Sequence, residues 1–78
     1  MKYAIGTRIE FFDDSGYAYE YYDIEAYAIL KDGSTVYLVW SSYAEYCNEY
    51  EFFSEEQLAQ EIKERIDCGN RVEIKEAV

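Results

Sequence analysis

Three carboxylates, Glu20, Asp23 and Glu25, stand close together in the stretch from Tyr17 to Leu30, YAYEYYDIEAYAIL. Paired carboxylates do acid–base work when their surroundings drive their pKa values apart. With seventeen acids in the chain, however, neighbouring acids follow from composition alone, and the partners of a catalytic set are missing. The absence of histidine removes the commonest general base near neutral pH and the commonest metal ligand. The four glycines are scattered rather than gathered into a phosphate loop, and no serine stands in a nucleophile elbow. Asp13-Asp14-Ser15-Gly16 lacks the alternating oxygens and distant glutamate of a calcium loop. Cys47 lies between Glu45 and Glu49, whose charges disfavour a thiolate. With Cys68 it makes neither a metal set nor a disulfide framework. The sequence reads as a non-enzymatic protein with no cofactor and no metal.

The chemistry that remains is that of a contact surface. At period two, the odd positions Tyr17, Tyr19, Tyr21, Asp23, Glu25 and Tyr27 form a row of phenols and carboxylates. The even positions are small or apolar, with Glu20 the exception. One side suits a core and the other suits water or a partner. Same-face residues on a strand stand about 7 Å apart, a spacing of the same order as that of phosphates along a nucleic-acid strand. Carboxylates in such rows imitate a phosphate backbone, and tyrosines between them add rigid contact area. The same tyrosines also suit cross-strand packing. Ten of them cannot all be core, because each buried hydroxyl needs a partner, so several are expected at the surface. The expected partner-binding residues are Asp13, Asp14, Tyr19, Glu20, Tyr21, Asp23, Glu25, Tyr27, Glu45, Glu49 and Glu51.

Charge narrows the partner. The net charge is −10, and it is local: residues 9–62 carry thirteen acids against the single base Lys31, whereas residues 63–78 carry four of each. Such a surface repels nucleic acid and anionic lipid and attracts basic proteins. It also keeps a small, aromatic-rich chain soluble. No apolar run approaches membrane-spanning length. The first residues run straight into a strand-like pattern instead of a signal peptide. The expected location is cytoplasmic, with both thiols reduced.

These residues need elements to hold them. Residues 3–12 read as a first strand, with Gly6 marking a bulge or a close approach of backbone. Asp13-Asp14-Ser15-Gly16 is a turn, and residues 17–30 form a long second strand bent near Tyr22-Asp23, or two shorter ones. Lys31-Asp32-Gly33-Ser34 is a hairpin turn. Residues 35–41 form a third strand, apolar on both faces, for which cover on both sides is expected. A fourth strand is expected over 47–53. Ser54 and Gln57 form a capping box for a helix over Glu55–Asp67, whose stripe is Leu58, Ala59, Ile62 and Ile66. Residues 71–76 close the pattern as a last strand. The chain order β-β-β-β-α-β predicts a single α+β domain over residues 1–78: an antiparallel sheet of four to five strands with one amphipathic helix packed on one face. The alternative is a small SH3-like barrel plus helix.

Small size, strong acidity, a Tyr/Glu/Asp surface and the lack of a catalytic set resemble phage-encoded inhibitors of bacterial defence, namely anti-CRISPR proteins and DNA-mimicking anti-restriction proteins. The resemblance is one of overall character and carries no residue roles with it. It implies a stoichiometric inhibitor, monomer or homodimer, that occupies the basic groove of a nucleic-acid-binding defence effector, a site lined with Lys and Arg in Cas9-type enzymes. It implies no contact with nucleic acid or membrane. The competing expectation is a self-associating or scaffold protein of a phage or bacterium, joined through tyrosines and a free sheet edge.

Overall fold

Two aspartates set the hairpins. The Asp13 carboxylate accepts hydrogen bonds from the Ser15 N–H (3.0 Å), the Ser15 hydroxyl (2.6 Å) and the Tyr17 N–H (3.0 Å). Asp32 accepts from the N–H (2.9 Å) and hydroxyl (2.5 Å) of Ser34. These are Asx turns, in which a side chain replaces a backbone acceptor. In the computed structural model, which describes residues 2–44 and 46–77, they join β1 (Arg8–Phe12), β2 (Ala18–Ile29) and β3 (Thr35–Tyr43) into an antiparallel meander that β4 (Cys47–Ser54) continues. The helix α1 (Glu55–Asp67) then carries the chain to the far edge, where β5 (Arg71–Lys75) pairs antiparallel with β1. The sheet order is β4-β3-β2-β1-β5, an α+β fold.

The helix starts at Ser54 as its sequence dictates. The Ser54 side chain accepts from the Gln57 N–H (3.1 Å), and the Gln57 side chain accepts from the Ser54 N–H (2.9 Å). Its Leu58 is fully buried among Ile9, Phe11, Tyr22, Ile24, Tyr37 and Val39, which fixes the helix-side face of the sheet.

Three features differ from the sequence pattern. β1 begins at Arg8, not at residue 3, because Gly6 adopts φ +93° and turns the chain; a Cβ there would lie 3.1 Å from that of Ala77. β2 is one continuous strand with two bulges, at Tyr19 and at Glu25, rather than a bend at Tyr22-Asp23. A bulge shifts the alternation by one residue. Glu20, Tyr22 and Ile24 therefore face the helix, whereas Ala26 and Ala28 pair with Leu38 and Val36 on the other face. The run of small and apolar even positions is split between the two sides. Lastly, β3 lies inside the sheet but is covered on one face only, since among the described residues no element packs over Val36, Leu38 and Trp40.

Candidate functional site

The inward-facing Glu20 explains the helix's C-terminal half. Its side chain is 10% exposed and receives Arg65 Nη1 at 2.5 Å. The same nitrogen donates to the Tyr19 hydroxyl (3.1 Å), and that hydroxyl donates to Asn70 Oδ1 (3.0 Å). The guanidinium lies 4.5 Å from the centre of the Phe11 ring, and Arg65 also reaches Glu61 at 3.4 Å. Burial opposes the charge on Arg65, but the Glu20 carboxylate and the Tyr19 hydroxyl outweigh it and hold the group above its ordinary pKa. Arg65 thus takes the place over the core that the apolar stripe assigned to Ile66, which is 54% exposed. Tyr19 and Glu20 join helix to sheet through Arg65 and Asn70.

Two more of the expected residues are committed on the opposite face. Asp23 receives Arg8 Nε at 2.7 Å and Nη2 at 2.9 Å, a bidentate pair. The Arg8 guanidinium lies 4.0 Å from the centre of the Tyr21 ring, covering it. Arg71 pairs with Glu73 (3.0 Å) and Lys75 with Glu10 (2.5 Å) on the same face. Three bases and three acids of that face thus offset one another in ion pairs. Of the remaining described charges, thirteen are acids and four are bases, so the acidity is concentrated on the helix side, the turns and the edges.

On the helix side, β4 places Glu49 opposite Ser41 and Glu51 opposite Val39, on the face that α1 borders. Burial, and then the charges of Glu20, Glu61 and Glu51, push the Tyr22 hydroxyl well above its ordinary pKa, against the opposing charge of Arg65. Carboxylates of β2, α1 and β4 thus act together on this hydroxyl, and Arg65 opposes them. At the helix start, Glu55 accepts from the Tyr37 hydroxyl (2.6 Å) and the Lys2 N–H (2.7 Å), which lower its pKa. Glu56 and Glu64 are exposed on the helix.

The expected surface is therefore divided. Asp14, Glu25 and Glu49 are exposed and Glu51 is half-buried; Asp13 is held in its turn, and Tyr27 is 43% exposed beside an apolar hollow. Glu45 lies outside the described residues. Glu61, which the pattern missed, joins Glu49 and Glu51. Five tyrosines (17, 27, 43, 46 and 50) are exposed. Arg65 also went unforeseen, although a lone acid on the inward face of β2 was itself the signal of a buried counter-ion.

Among the described residues, no three His, Cys, Asp or Glu side chains are grouped to hold a metal ion, and Cys47 and Cys68 are exposed thiols. No helix is long and apolar enough to cross a membrane. Comparison with protein-family models, curated proteins and solved structures finds no match for this chain.

Proposed function

We propose that this chain is a non-enzymatic acidic binding protein that inhibits a nucleic-acid-binding effector, of CRISPR or restriction type, by presenting a carboxylate surface to its basic groove. The observation that carries the reading is the separation of charge by face. Among the described residues Glu49, Glu51, Glu56 and Glu64 stand along β4 and α1 outside any ion pair, whereas Arg8, Arg71 and Lys75 are spent on Asp23, Glu73 and Glu10 of the open face. A field of one sign speeds encounter with a basic groove by about 10- to 1,000-fold at low salt. The proposed contact surface lies along β4 and α1 rather than on the β2 row.

The test is inhibition of DNA binding by purified CRISPR and restriction effectors at stoichiometric amounts of this protein, at low and high salt and with competing DNA. Inhibition that DNA and salt relieve, and that the variant E49K/E51K/E56K loses while keeping its melting temperature, supports the reading. Inhibition unchanged in that variant, or no inhibition of any basic effector at low salt, refutes it.

A further inference from the structure

The face of the sheet opposite the helix carries one half that is ion-paired and one that is apolar, and the apolar half is bare. Phe52 is 73% exposed and Tyr50 59%, side by side on β4. Next to Phe52 lies a hollow of about 170 Å³ whose floor includes Ala26, Ala28, Val36 and Leu38. A projecting ring beside a small-residue floor is self-complementary: turned about a two-fold axis, each copy offers a knob to the other's hollow. We propose that this open face docks a second copy of the chain, sheet against sheet, with Phe52 of each copy over the alanine floor of the other. The inference is independent of the effector-binding surface, which lies on the other side of the sheet.

Charge selects this occupant. A chain of −10 resists self-association wherever its acids meet, yet on this face, the exposed Glu25 at the β2 bulge aside, the strand charges are paired, Arg8, Arg71 and Lys75 against Glu10, Asp23 and Glu73. Stacked by these faces, two copies keep their acidic helices on the outside. Pairing through the β4 edge does the opposite, because it brings Glu49 and Glu51 beside the same residues of the other copy, and like charges on adjacent strands are destabilising. Area sets the strength. Three strands and about five residues along each give a footprint of roughly 20 Å by 15 Å, on the order of 300 Å² before the projecting rings are counted. Specific interfaces bury about 800 Å² per partner, so this is a weak, reversible dimer with a dissociation constant in the micromolar range or above.

The experiment is sedimentation equilibrium from micromolar to millimolar protein at low and high salt, with Trp40 emission read alongside. The expected result is a concentration-dependent dimer that holds or tightens as salt screens the repulsion between copies, with Trp40 emission shifting to the blue. F52S is expected to weaken association by at least about tenfold, and L38E to abolish it, with circular dichroism confirming the fold of each. E49K/E51K should leave the dimer intact. A monomer throughout the range overturns the proposal. So does a dimer that F52S leaves unchanged or one that E49K/E51K alters more than F52S does, which would mark an edge-paired assembly. Inhibition of an effector bears on none of these outcomes.

Discussion

Replacing Glu20 by Gln is the most direct test of the division between structural and surface carboxylates. The substitution keeps the shape and an acceptor oxygen for Arg65 but removes the charge. Glu20 and Arg65 are 10% and 23% exposed in their side chains, so the charge left on Arg65 is poorly solvated. Breaking a fully buried pair from one side costs about 3–5 kcal/mol. Discounting for partial exposure and for the retained hydrogen bond leaves about 2 kcal/mol. A chain of this length is stable by about 4–12 kcal/mol in all, so the loss is a large fraction of the whole. It should lower the melting temperature by about 8–16 °C, from the usual 4–8 °C per kcal/mol for small domains. Urea unfolding followed by Trp40 fluorescence and far-UV circular dichroism measures it. E25Q is the control, since it removes the same unit of charge from an exposed position and should shift stability by less than about 0.5 kcal/mol. R65M should cost less in the E20Q background than in the wild type, because no unpaired buried charge then remains. Equal shifts for E20Q and E25Q would refute the reasoning, showing that the Glu20–Arg65 pair contributes no more than the general relief of repulsion.

The remaining predictions concern the N-terminal segment. Y37F removes a buried hydroxyl that accepts from the Tyr3 N–H (3.1 Å), and stranding that buried donor should cost about 1–3 kcal/mol at neutral pH. The same variant removes the first cause of the lowered Glu55 pKa. A lowered carboxylate stabilises the fold above its unfolded pKa, and the contribution fades as pH falls through the folded value. The gap between wild type and Y37F should therefore narrow as pH drops below the ordinary glutamate range, about 4.3; chemical denaturation at neutral and acidic pH would detect a gap that stays constant or widens, which would exclude this coupling. G6A forces a side chain onto φ +93° and toward Ala77 at 3.1 Å, and should lower stability by more than about 1 kcal/mol in the same urea assay.

Some of the architecture was legible because it is written in contacts between near neighbours. The Ser54–Gln57 capping box, the helix bounds at Glu55 and Asp67, and the turns at Asp13 and Asp32 all depend on hydrogen bonds spanning a few residues. Residue order within those windows is enough to specify them. The α+β class followed from period-two runs and a single helical stripe. The candidate surface was less legible. A row of acids looks the same in sequence whether it meets water or an internal arginine, and Glu20 meets Arg65, forty-five positions away.

The sequence by itself determined the elements, the turns, the lack of a histidine-based site and the sign and excess of the charge, since these depend on composition or on local geometry. Tertiary structure decided which side each residue of β2 faces, because strand alternation is reset by bulges at Tyr19 and Glu25 that arise only in pairing with β1 and β3. It also decided that Asp23 and Glu20 are spent on Arg8 and Arg65 while Glu49 and Glu51, among the described residues, stand outside any ion pair. It left Leu38, Tyr50 and Phe52 on a bare face, because one thirteen-residue helix covers one side of a five-stranded sheet and has nothing left for the other.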